Sequence, residues 1–206
     1  MGKESQKKRD QMSSKERYDY LVKARNFHYD NFSKWMTYFY VATGTLFVGF
    51  YTIQDQPDVN IEKSILLILG YITSISWYWS SKGYYYWNIN FITLINQCEK
   101  EVLKLDRENR IYSVFANKKR ENNYINPIMG ANVSTSKVAI FLSFIVTVFW
   151  GTLLLGIIGN MNIFEMKSLN YLIYLIVSAI LTIILTFTIA KKFFKSNMSV
   201  LKDLKI

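Results

Sequence analysis

The 25 Lys and Arg residues of this chain are distributed with a strong bias around four apolar runs, Trp35 to Ile53, Ile65 to Ser81, Val138 to Ile158 and Leu169 to Ala190. Nine basic residues precede the first run, nine lie between the second and third, and five follow the fourth. The two other connections hold one each, Lys63 and Lys167. Cationic loops stay on the cytoplasmic side of a bilayer. The alternation therefore predicts a four-span membrane protein with both termini inside. The net charge of +10 is first a topology signal.

Each run is 17 to 22 residues long and contains no Asp, Glu, Lys, Arg or His. A helix of that length covers a hydrocarbon core of roughly 30 Å. The first 30 residues are polar and charged, without the apolar centre of a cleavable signal. Met1-Gly2 suggests myristoylation, but Gln6 stands where Ser or Thr is required. A single cysteine, Cys98, excludes an internal disulfide, and one His with one Cys cannot supply the usual zinc ligands.

The chain divides into a polar N-terminus (1–12) expected to be disordered, a membrane domain with cytoplasmic helical extensions (13–190) and a basic amphipathic C-terminal helix (191–206). Ser13-x-x-Glu16 has capping-box spacing, so a helix should begin there. Tyr18, Leu21, Val22, Arg25, Tyr29 and Phe32 then recur at helical steps. Neither Pro nor Gly interrupts the chain before Gly44, so this helix should continue into the first span. The short outer loop from Gln54 to Asn60 contains Pro57, which suits a tight connection.

The second span ends in Trp77, Tyr78 and Trp79, followed by Tyr84, Tyr85, Tyr86 and Trp87. Such rings favour the headgroup level, which predicts an interfacial belt. An aromatic ligand cage or base-stacking platform is the alternative. Tyr84, Asn88, Phe91, Ile95, Cys98, Val102 and Leu105 then step by three or four. They predict one helix from about Glu62 to Arg110, with a seam that packs on Leu21, Val22 and Tyr29 as a cytoplasmic stalk. The Asn-rich stretch from Asn117 to Asn132 returns the chain to the third span. Lysines alternate with Phe193, Phe194, Met198, Leu201 and Leu204 in the tail, a pattern for lying on the anionic leaflet or packing on the stalk.

Catalytic chemistry finds little footing. His28 and Asp30 are two residues apart and so point to different helix faces; the bland reading is a polar residue near the headgroups. Cys98 falls on the apolar seam and reads as a small hydrophobe. Glu99, Glu101, Asp106 and Glu108 interleave with Lys100, Lys104, Arg107 and Arg110, the pattern of a solvated helix face. No Gly-rich phosphate loop is present. The expectation is a protein that is not an enzyme, with no catalytic, cofactor-binding or metal-binding residue. Intramembrane ionisable groups, the mark of a coupled transporter, are absent from the runs, whereas a pore formed by oligomerisation remains open.

The spans carry an association signal. Ser143, Thr147 and Gly151 stand four apart in the third, and Ser178, Thr182, Thr186 and Ala190 do the same in the fourth. Small-residue stripes let helices approach closely in lipid. The two stripes should face each other within one subunit, or else a neighbouring subunit.

From Tyr18-Asp19-Tyr20-Leu21-Val22-Lys23 through Asn31-Phe32-Ser33-Lys34 the chain leads into the first span; a short hairpin follows, then Trp77-Tyr78-Trp79 and the polar-aromatic helix Asn88 to Glu101. This arrangement resembles the RipA family of small octameric bacterial inner-membrane proteins. It is also similar to the two-span SLATT effectors, proposed to act at membranes in anti-phage systems. The resemblance covers about residues 14 to 110 and implies a homo-oligomer with no catalytic residues to transfer. The reading is an all-α, four-helix transmembrane protein of the inner membrane with a helical cytoplasmic stalk. Its expected partners are membrane lipid, further copies of itself and a soluble cytoplasmic protein or ligand, not nucleic acid. Its expected role is a membrane-acting structural or effector module, with a scaffold for a soluble partner or a small channel as alternatives.

Overall fold

A computed structural model of the protein describes residues 14–54, 56, 60–111, 123–159 and 168–195. Helix α1 is Ser14–Ile53, α2 is Asn60–Gln97, α3 is Thr135–Ile158 and α4 is Ser168–Leu185. A π-helical segment, Thr186–Ala190, carries α4 into a last turn, Lys191–Phe193. Among the described residues there is no strand, and the fold is all-α. The 40 residues of α1 form one helix because nothing before Gly44 breaks the ladder. The expected N-terminal disorder and most of the amphipathic tail lie outside the described residues.

The expectation of one helix from Glu62 to Arg110 is corrected. Regular α-helix stops at Gln97, a π turn follows over Cys98–Val102, and the chain then leaves helical geometry. Lys104 takes φ 52°, the left-handed conformation that commonly closes a helix and more often belongs to Gly. The Leu103 amide donates to the Cys98 carbonyl at 3.0 Å and the Leu105 amide to the Glu99 carbonyl at 2.9 Å, so the last carbonyls are satisfied by the reversal. Beyond it lies a short 3-10 turn, Arg107–Asn109.

Contacts divide the chain into two compact units, Met1–Thr37 with Gly83–Val138, and Tyr38–Lys82 with Ala139–Ile206. The second unit holds all of the apolar runs except the start of the first and the first residue of the third. Two helical stretches, Thr135–Ile158 and Asn170–Phe193, are long and apolar enough to cross a membrane by length and composition. The runs in α1 and α2 are more polar on average, because Tyr38, Tyr40 and Tyr51 in one and Tyr71, Tyr78 and several serines in the other dilute their apolar character.

The interior of this second unit inverts the usual distribution. A cluster of Phe50, Leu67, Trp150 and Leu153 is buried, but so are Ser74, Ser81, Ser143, Thr147, Thr152, Ser178 and Thr182. Leu172, Ile173, Ile176, Val177, Ile180, Ile183, Ile184 and Phe187 of α4 and its π segment are exposed. In water such an apolar face is unfavourable; in lipid it is neutral, and small hydroxyl residues do the packing. The hydroxyls of α3 bond to carbonyls of their own helix. Ser143 Oγ donates to the Ala139 carbonyl at 2.7 Å, Thr147 Oγ1 to Ser143 at 2.7 Å and Thr152 Oγ1 to Val148 at 2.8 Å.

Gly151 of the first stripe and Ser178 of the second come together within a single chain. Ser178 Oγ donates to the Val148 carbonyl at 2.9 Å. A Cβ placed on Gly151 would collide with Ser178 Oγ and come within 2.9 Å of the Tyr71 ring. Helix α2 joins the contact through hydroxyls: Tyr71 lies 3.3 Å from Thr182 Oγ1, and Trp79 Nε1 donates to Thr186 Oγ1 at 2.9 Å. Gly70 plays the matching part against α3, where a Cβ would fall into the Trp150 ring.

Gly151→Ala should therefore destabilise the fold by about 1–3 kcal/mol, the usual cost of overpacking. Gly83 sits in α2, and a Cβ added there would meet nothing within 4 Å. Gly83→Ala should thus be neutral or stabilise by up to about 1 kcal/mol through helix propensity. Thermal unfolding of both variants in one detergent checks this. Equal midpoints would contradict the close approach of α3 and α4.

Candidate functional site

The unit Met1–Thr37 with Gly83–Val138 holds acidic, basic and imidazole side chains of the kind that the apolar runs lack. Its pairings run in opposite order along the two helices: Tyr18 meets Glu99, His28 meets Phe91 and Tyr84, and Phe32 meets Tyr84. The first part of α1 and the last part of α2 therefore lie antiparallel within the unit.

At one end of this pair the Tyr84 ring stacks on Phe32 at 3.6 Å between centroids and on His28 at 4.7 Å. His28 Nε2 approaches the Tyr84 carbonyl at 3.5 Å, and the same imidazole lies 5.5 Å from the Phe91 ring. His28 thus packs between aromatic rings. Burial pushes the Tyr84 phenol up to about 12; Arg25 pulls it back and Tyr29 adds to the rise. The Tyr84 hydroxyl and Asn88 Oδ1 are buried with no hydrogen-bond partner.

The expected aromatic belt divides by environment. Trp77 is only 1% exposed, in the other unit, between Phe39 at 6.2 Å and Tyr40 at 4.8 Å, and Tyr84 is buried in the stack just described. Those two are packing residues, a correction to the belt reading. Trp79 is half-buried and bonded to Thr186. Tyr85 and Trp87 are half-buried and Tyr86 is exposed, so these three retain surface that a headgroup layer could meet. The Lys137 ammonium lies 5.9 Å from the Tyr85 ring.

Along the seam, Ile95 and Cys98 are buried, while Phe91, Leu21 and Val22 are half-buried. Tyr29 is exposed, and Val102 is 41% exposed. Val102 is thereby removed from the seam. The π turn inserts an extra residue into the helical repeat and rotates everything after Cys98 away from the face set by α-helical spacing.

The same turn produces the residue that periodicity misses. Glu99, expected on a solvated face, is fully buried. Its Oε1 accepts from the Tyr18 hydroxyl at 2.7 Å and from the Ile111 amide at 3.1 Å, while Oε2 is buried with no partner. One carboxylate oxygen therefore ties the start of α1, the end of α2 and the returning chain. The only sequence signal was adjacency to Cys98, because Tyr18 is 81 residues away. Among the described residues no group of three or more His, Cys, Asp or Glu is placed to hold a metal ion.

A phenol buried without a partner costs stability, and removing its oxygen relieves that cost. Tyr84→Phe should leave the protein at least as stable at pH 7. Because the folded phenol ionises near 12 and a free one near 10, ionisation at Tyr84 leaves stability unchanged below pH 10 and lowers it as pH rises toward 12, where the unfolded chain takes a charge that the folded one resists. The variant should lose less stability across that window. Denaturation midpoints measured from pH 7 to 11 check both signs; a clear loss at pH 7 would mean that the hydroxyl is satisfied.

No curated protein and no solved structure matches the chain significantly. A family model matches residues 15–159, which take in α1 from its second residue, α2, the Tyr84 stack, Glu99 and α3. Its description, octameric membrane protein family, fits the inverted interior of the span-bearing unit. With well over half of its length matched, the chain belongs to the octameric membrane protein family (8xMP).

Proposed function

We propose that this protein is a non-enzymatic, homo-oligomeric module of the bacterial inner membrane, with four spans and both termini cytoplasmic. In this reading the unit containing Glu99 and the Tyr84 stack receives a cytoplasmic signal, a soluble protein or a small ligand. The rearranged oligomer then alters membrane integrity, in the manner of an anti-phage effector. The family description supports oligomerisation, and the exposed apolar face of α4 with its buried Ser178 and Thr182 supports lipid as the solvent. The bias of Lys and Arg supports the orientation. The likeness to RipA and SLATT proteins supports the effector role.

A scaffold that recruits a soluble partner is the second reading, favoured by the exposed Tyr20 and Phe27 on α1 and exposed Ile89 on α2. A channel draws less support. The small hydroxyl residues of α3 and α4 bond to carbonyls and hydroxyls of their own chain, rather than standing free to line a pore.

Two measurements separate these readings. Light scattering of detergent-purified protein, corrected for bound detergent, should give eight copies of the 24.2 kDa chain; a monomer would overturn the oligomer. Induced expression in a bacterial host should collapse the membrane potential reported by a voltage-sensitive dye once the signal is present, for example during phage infection. An intact potential throughout infection would favour the scaffold.

A further inference from the structure

We infer that residues 104–111 form a strap held closed over the end of α2 by the Glu99 carboxylate, and that this latch opens to expose the Cys98 region. The strap begins where the chain reverses at Lys104 and passes through the Arg107–Asn109 turn to Ile111. Within it the Asn109 amide donates to the Asp106 carbonyl at 2.9 Å, and three further polar contacts shape it. The Ile111 amide donates to Glu99 Oε1, the Leu105 amide donates to the Glu99 carbonyl, and Arg110 Nε donates to the Leu105 carbonyl at 3.0 Å. Of these three, only the first two join strap to helix, and both end on Glu99. Tyr18 of α1 meets the same oxygen, so a change at α1 is felt at the strap.

Two features make this a latch rather than a permanent tie. A structural buried carboxylate normally has both oxygens satisfied, because an unpartnered buried acceptor is costly. Here Oε2 is left without a donor, so the closed state is held by one oxygen while the other opposes it. The strap also starts from a π turn and a left-handed non-Gly residue, both less favourable than the α-helix and glycine that usually serve. A ligand or partner that offers a donor to the carboxylate, or that binds the opened strap, would shift such an equilibrium.

The latch is independent of whether the membrane is the target, so it stands or falls apart from the effector reading. Cys98 provides the readout. It is the one cysteine of the chain, it is buried, and it is adjacent to Glu99. Maleimide labelling of the full-length protein in detergent, normalised to the rate in denaturant, measures how often the end of α2 is uncovered. Wild-type Cys98 should label slowly. Glu99→Ala should label at least about tenfold faster and Tyr18→Phe by an intermediate factor, with unfolding midpoints close to wild type.

Ile95→Ala removes core packing one turn away without touching the latch. Its labelling should rise only as far as its lowered midpoint requires. An unchanged rate in Glu99→Ala would overturn the proposal, as would a wild-type rate near that of the denatured chain. So would acceleration in Glu99→Ala that merely follows a fall in its midpoint, since Glu99 would then be a general structural tie.

Discussion

Packing without a hydrophobic driving force is the constraint on which this structure rests. In lipid, apolar side chains gain nothing by leaving their solvent, so helices are held by close contact and by polar groups that find partners. The α3–α4 contact meets both needs in one place. Gly151 leaves the space that Ser178 fills, and the Ser178 hydroxyl bonds to the Val148 carbonyl. That carbonyl also accepts from Thr152, so one backbone oxygen serves two hydroxyls as well as the helix. Tyr71 and Trp79 then bring α2 to the same face through Thr182 and Thr186. The large apolar residues of α4 are left outside, where lipid is their natural surrounding.

The other unit follows different rules. Its pair of helix segments is joined by stacked rings at Tyr84 and by a carboxylate hub at Glu99, with several buried polar atoms unmatched. Packing residues in a settled core are normally apolar or fully bonded. A unit that keeps an unpartnered phenol, an unpartnered amide oxygen and half of a carboxylate inside has given up stability at those points. Of these groups Glu99 sits on the π turn itself, where departure from regular helix marks a place able to change its state.

Much of the fold was legible in the sequence because its signals are local. An uninterrupted helical pattern marked α1, the runs without charge lay within the helices that carry them, and the four-residue spacing of Ser143, Thr147 and Gly151 marked a face that is buried. The site was much less legible. Glu99 among alternating charges reads as solvated, and only Tyr18, far away in sequence, and the folded-back Ile111 make it a buried group. Val102 has the right spacing for the seam and still leaves it, because a single π turn changes the phase of the repeat. Trp77 carries the composition of an interfacial ring but is enclosed by Phe39 and Tyr40. In each case a tertiary neighbour or a change of helical pitch overrides the local pattern, and neither is written in residue spacing.

The central claim is that all four apolar runs cross the membrane with the polar unit on the cytoplasmic side, including the two runs in α1 and α2 that are diluted by aromatic and hydroxyl residues. Reporter fusions test it most directly, with a phosphatase active only outside and a fluorescent protein active only inside, placed after Asp58, Phe115, Glu165 and Ile206. The account predicts external signals at Asp58 and Glu165 and cytoplasmic signals at Phe115 and Ile206. A cytoplasmic signal at Asp58, or an external one at Phe115, would contradict it.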